Sequence, residues 1–263
     1  MERRGIKGNV GLTAPVRNKW HGLHTSRFAR RDFQLRQPVP YISFTFDDFP
    51  RSALLTGGDI LVRHNVRGTY FVSLKMTGRD SPSGPIAQGQ DILSLLAAGH
   101  QLGCHTYDHL DGQHATADTF EQSISANQTA LERVVPGTRL RVFAYPLDGP
   151  NVAVKRAVGR RFVACRGGGQ TINSGLVDLN LLRAFFLDWR TRNDLRLVED
   201  VIRLNAEAGG WLIFATHDVA PVPSPYGCDP DFFDAVVDRA TRSGARVVPM
   251  MQACEELQIV STD

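Results

Sequence analysis

Tyr41-Ile42-Ser43-Phe44-Thr45-Phe46-Asp47-Asp48 is the stretch on which the fold class turns. Its first six residues form a short apolar run of strand-forming types, and it stops on two adjacent carboxylates. Similar runs follow at Gly68–Val72, Gln101–Cys104, Arg141–Tyr145, Arg161–Cys165, Leu182–Phe186, Trp211–Ala215 and Ala245–Val248. Amphipathic stretches lie between them, around residues 53–65, 90–98, 117–134, 193–208 and 229–243. Strands alternating with helices predict an α/β fold with a parallel sheet and crossover helices. Seven or eight such units suit a closed or nearly closed (β/α) barrel better than a doubly wound sheet, which would place GxGxxG after a strand; none is present. Gly167-Gly168-Gly169 reads as a loop, and Thr77–Gln90, rich in Gly, Pro and Ser, as a long surface loop.

Composition places few other limits. With 263 residues, 42% hydrophobic and 22% charged, the chain suits one globular domain. No apolar run approaches the roughly 20 residues of a membrane span, and no hydrophobic stretch follows Arg3, Arg4 and Lys7, so a cytoplasmic protein is expected. Residues 1–36 carry nine Lys or Arg against two acidic residues. This divides the chain into a basic arm, 1–38, and a catalytic domain, 39–263. No stacking aromatics or known motif accompany the arm, so no nucleic-acid partner is expected. Cys104, Cys165, Cys228 and Cys254 are widely spaced, which signals reduced thiols; strand alternation sends Cys104 into the core, away from His105. The oligomeric state is not legible.

Three clusters follow strand-like runs: Asp47-Asp48, His105-Thr106-Tyr107-Asp108-His109, and Thr216-His217-Asp218. In a barrel, catalytic groups gather where the loops after the strands open, at the C-terminal rim. Adjacent carboxylates at a strand end point in different directions, so one can hold a cation while its neighbour stays free as a base. Histidines four apart reach one side of a turn or tight loop, close enough to share a metal. Two imidazoles and a carboxylate suit zinc, and also cobalt, nickel or another divalent ion. Asp108 and Asp111 are candidate partners for the ring N–H groups. Asp188-Trp189 ends another strand; Asp188 could hold His217 protonated as a general acid, and Trp189 could wall the pocket.

These residues together resemble the polysaccharide deacetylase family, carbohydrate esterase family four, from about Tyr41 to Leu257. Thr45-Phe46-Asp47-Asp48 is similar to its first motif, and His105-Thr106-Tyr107-Asp108-His109 to the second, H-[ST]-x-x-H. Asp188-Trp189 is similar to its fourth motif, and Thr216-His217-Asp218 to its fifth. The resemblance implies a distorted (β/α) barrel of about seven parallel strands. It implies a hydrolase acting on carbon–nitrogen bonds other than peptide bonds, removing N-acetyl groups from an acetylated carbohydrate. Asp47 would be the base, and Asp48, His105 and His109 would hold a divalent metal. His217 would be the acid, supported by Asp188. Tyr145, Pro146, Leu147, Trp189 and Ala215 would line the substrate site, with a backbone N–H near Leu147 facing the oxyanion.

Three positions depart from the family pattern. Phe143-Ala144-Tyr145-Pro146-Leu147-Asp148-Gly149 carries Ala144 where the third motif, R-x-P-x-G, places an arginine beside the base. Phe49 replaces a glycine after the paired aspartates, and Ala215 replaces a leucine two places before His217. Two alternatives stay open on this account: a metal-dependent amidohydrolase of small non-sugar amides, and a non-catalytic carbohydrate-binding protein.

Overall fold

The computed structural model describes residues 25–147 and 149–259. Its strands are β1 (Asp32–Leu35), β2 (Tyr41–Phe46), β3 (Thr69–Val72), β4 (Asp80–Ser81), β5 (Gly84–Pro85), β6 (Gln101–Cys104), β7 (Val142–Ala144), β8 (Ala164–Arg166), β9 (Gly175–Asp178), β10 (Phe185–Phe186), β11 (Trp211–Thr216) and β12 (Arg246–Val247). Seven of these run parallel in the order β10-β11-β2-β3-β6-β7-β8, and β12 pairs with the start of β2. The path curls into a distorted (β/α) barrel, as the alternation of strands and helices predicts. β2 and β11 are in register from Tyr41↔Trp211 to Phe46↔Thr216, which brings Asp47 and His217 to the same end of the barrel.

Every strand of this path is covered on both faces, the reason its residues read as largely apolar runs. Alternation sorts them. Ile42, Phe44, Phe46, Tyr70, Phe143 and Phe214 face the helices, in a core that includes Phe120, Val198 and Phe233. Phe71, Ala144, Ala164, Trp211, Ile213 and Ala215 belong to a second cluster on the opposite face. Crossover helices lie at Asp59–Arg63, Gly89–Ala97, Ala117–Val134, Val152–Gly159, Leu195–Ala208 and Pro230–Arg242. Thr116, Asn151, Asp194 and Asp229 each cap a helix by accepting a backbone N–H. The helices Val152–Gly159 and Met250–Glu256 are too short to leave a clear periodic signal.

Two strands begin later than their apolar runs. The guanidinium of Arg31 takes the carbonyls of Gly159, Phe162 and Val163, and β8 starts beyond them at Ala164. The side-chain amide of Asn173 satisfies both backbone groups of Arg183, leaving only Phe185–Phe186 for β10. Residues 1–24 of the basic arm lie outside the described residues. Further along, β1 pairs antiparallel with β9, and the buried ammonium of Lys155 binds the Asp178 carboxylate and the carbonyls of Thr25 and Phe28. The loop Thr77–Gln90 carries the β4–β5 hairpin. All four cysteines are free and buried; burial pushes the Cys104 thiol up to about 11 and the other three to about 12. No helix among the described residues is long and apolar enough to cross a membrane.

Phe44 stacks on Phe214 at 5.3 Å and meets Phe233 edge-on at 5.7 Å. Phe44→Ala should therefore cost about 3–5 kcal/mol, read as a lower urea midpoint at unchanged slope; a cost below about 1 kcal/mol would contradict this packing. His100 is buried, and its Nδ1 accepts the Gly68 N–H. Burial, with Arg67 adding to it, pushes its pKa from 6.5 down to about 4. The unfolded chain thus takes up this proton first, so the stabilisation is complete above pH 6.5 and is lost as pH falls from 6.5 to 4. Denaturation across that window should show a shallower pH dependence in His100→Gln than in the native chain, and parallel curves would contradict it.

Candidate active site

β2 ends in a backbone that few side chains accept. Asp48 and Phe49 both have left-handed φ, at 62° and 60°, and Thr106, His109 and Leu147 share that region at 59°, 54° and 56°. Each such residue costs of order 1 kcal/mol, and such strain gathers at functional sites. Burial of the Phe49 ring against Tyr70 offsets it at one position, as does the Phe49 carbonyl accepting the Ala87 N–H. The left-handed angle also explains why glycine is the usual residue there.

The turn sends the two carboxylates different ways. Asp47 is almost fully buried and accepts a hydrogen bond from the Arg166 guanidinium at the end of β8. Burial alone would raise its pKa, but Arg166, then His105 and His217, outweigh that and hold the carboxyl below its ordinary value. Asp48 turns toward the histidines: its Oδ1 lies 3.3 Å from His109 Nε2 and 3.7 Å from His105 Nε2, and its Oδ2 lies 3.9 Å from His217 Nε2.

Asp48, His105 and His109 each present one ligand atom, all within 4.8 Å of one another. The donor set fits a divalent cation. Asp48 Oδ1 is buried with no hydrogen-bond partner among the described residues, a costly state that an ion would relieve. His105 Nδ1 donates to the Ala144 carbonyl at 2.8 Å, which fixes the proton there and leaves the Nε2 lone pair toward Asp48. Burial pushes this imidazole down to about 4, so it is a neutral donor at pH 7. Ser73 Oγ on the His105 carbonyl and Thr106 Oγ1 on the Leu110 N–H hold the tight loop between the two histidines.

Several sequence expectations need correction. Asp188 is buried, but no hydrogen bond or ion pair joins it to His217 among the described residues. The Arg190 side chain occupies both its oxygens, and His217 Nδ1 is left without a partner among the described residues. Asp108 accepts from Ser123, and Asp111 binds His114, so neither orients His105 or His109. The Tyr145 ring lies in the helix-facing core beside Phe143, and its hydroxyl donates to the Asn180 carbonyl. It faces away from the site because alternation puts residues 143 and 145 on one face and Ala144 on the other. Pro146 and Ala215 are buried, whereas Leu147 and Trp189 are exposed by 66% and 58%. Asp148 lies outside the described residues. Sequence reasoning missed Arg166, and also Tyr226, whose ring lies 5.5 Å from that of His217.

The polysaccharide deacetylase family model matches residues 35–161. The peptidoglycan-N-acetylglucosamine deacetylase PgdA of Listeria monocytogenes is 30% identical over 181 residues, which is 68% of this chain and 32% of that protein. The chain thus spans about a third of that relative's length. A chitooligosaccharide deacetylase of Azorhizobium caulinodans is 26% identical over 226 residues, covering 84% of this chain and 92% of that one. A family 4 acetyl xylan esterase from Clostridium thermocellum, solved with a cobalt ion, shares the fold with a TM-score of 0.59 at 19% identity. That match covers 84% of this chain and 93% of the esterase.

A cation held in the folded site should stabilise it. At about one hundred times its dissociation constant the gain is about 2.7 kcal/mol, read as a higher thermal midpoint that Asp48→Asn abolishes. Midpoints insensitive to zinc, cobalt and nickel alike would contradict the fit.

Proposed function

The chain belongs to the polysaccharide deacetylase family, and from that membership and the division of its paired carboxylates we propose a metal-dependent hydrolase that removes N-acetyl groups from an amino-sugar-containing oligo- or polysaccharide. The observation that carries this reading is the opposite surroundings of two neighbouring residues: Asp47 against a guanidinium, Asp48 against two imidazoles. The relatives named for peptidoglycan and chitooligosaccharide substrates support the substrate class. Zinc is the metal we assign, because two imidazoles and one carboxylate with an open position are its common catalytic set.

Asp48, His105 and His109 would hold the metal, which supplies Lewis acidity toward the acetamide carbonyl and acidifies water. Asp47 takes a proton from the attacking water as its oxygen bonds to the carbonyl carbon. The backbone N–H of Leu147 donates to the developing oxyanion. His217 passes a proton from Nε2 to the nitrogen as the carbon–nitrogen bond breaks, giving acetate and a free amine. Leu147, Trp189 and Tyr226 present apolar surface at the same end of the barrel, suited to the faces of sugar rings.

The metal-loaded protein should release acetate from N-acetylated chitooligosaccharides more readily than from small non-sugar amides; the reverse preference would replace the sugar substrate. Asp47→Asn should keep its metal and lose about 10²–10⁴ in kcat. Asp48→Ala, His105→Ala and His109→Ala should each lose bound metal by elemental analysis, and full stoichiometry in all three would overturn the assignment.

A further inference from the structure

Ala144 ends β7 where the family's third motif places an arginine, and its methyl group cannot reach Asp47 as a guanidinium does. Its partner in register on the neighbouring strand is Arg166. Register partners in adjacent strands project to the same side of a sheet. Ala144 accordingly shares a cluster with Phe71 and Phe186, the two rings against which the Arg166 guanidinium lies, at 5.1 and 5.6 Å. We propose that Arg166 is the positioning residue of Asp47, supplied by β8 into the space that an arginine at position 144 would occupy. The proposal rests on the base role assigned to Asp47 above.

The surroundings hold this guanidinium in one place. Arg166 is 1% exposed, its Nη2 donates to Asp47, its Nη1 donates to the Gly167 carbonyl, and its Nε has no partner among the described residues. One face of its platform depends on a glycine: a Cβ at Gly103 would lie 2.4 Å from the Phe71 ring, so only glycine lets that ring lie flat over β6. Ala144 serves twice. Its missing side chain leaves room for Arg166, and its carbonyl holds the His105 ring that faces Asp48. Base and metal-facing histidine are thereby referenced to the same residue of β7.

A structural ion pair would explain the burial equally well, so the test separates position from stability. Arg166→Ala should lower kcat by about 10²-fold, the usual consequence of misplacing a catalytic group by about 1 Å, with KM and bound metal unchanged. Arg166→Lys, which keeps the charge without the planar fork, should fall between. The decisive variant adds Ala144→Arg to Arg166→Ala. It should recover at least about tenfold of the lost kcat, and should recover the thermal midpoint if Arg166→Ala alone is too unstable to assay. Ala144→Arg in the native background should instead be harmful, since two guanidinium groups compete for one space; a non-additive cycle of this sign is the signature. Wild-type kcat in Arg166→Ala, or a double variant no better than Arg166→Ala in both kcat and midpoint, would overturn the proposal. Activity is read on acetylated chitooligosaccharide and on 4-nitrophenyl acetate. A native enzyme inert toward both would remove the proposed function, and the midpoint comparison would still decide whether position 144 can replace Arg166.

Discussion

Two adjacent carboxylates, one buried and one half-buried, are the constraint from which the site follows. An isolated buried charge costs several kcal/mol even after relaxation, and like charges on neighbouring residues add to that cost. The left-handed turn at Asp48 and Phe49 separates the pair. Asp47 goes to a guanidinium fixed between two aromatic rings, and Asp48 goes to two imidazoles whose free nitrogens leave a place for a cation. Their surroundings thereby fit the two carboxylates for different chemistry. Asp47 stays ionised and can accept a proton, whereas Asp48 offers a lone pair with no competing donor.

The barrel makes that separation reproducible. β2 lies between β11 and β3, so its end is fixed by six paired positions on one side and two on the other. His105 is tied to β7 through the Ala144 carbonyl, to β3 through Val72, and to Ser73 just beyond that strand. These contacts lie at strand ends, where a shift in register would move Asp47, His105 and His217 together. The site thus inherits its precision from the sheet, and its strain sits in the loops just beyond it.

Much of this is legible in the chain, and what is not has physical reasons. The strands that lead to Asp47 and His217 announce themselves through runs of strand-forming residues, and the two-histidine loop through its spacing. Arg166 is hidden because it sits one residue past an apolar run, where a charged residue normally signals the end of a strand; here the strand starts late because Arg31 takes the preceding carbonyls. Proximity to the third motif places Tyr145 in the site, although period-two alternation from Phe143 sends it to the core. Order in the chain matches Asp188 to His217, but the arginine two residues later is nearer and holds it with a planar fork. The pairing of β1 with β9, outside the main sheet, lacks any local signal strong enough to find.

The central claim is that Asp48 binds the metal and Asp47 does not. X-ray absorption on the cobalt-loaded protein tests it directly, because the coordination shell reports ligand type and number without relying on turnover. Two imidazoles and one carboxylate are expected, with a shell unchanged in Asp47→Asn and no such shell in Asp48→Asn, which loses the metal. A shell altered by Asp47→Asn and indifferent to Asp48→Asn would contradict the account.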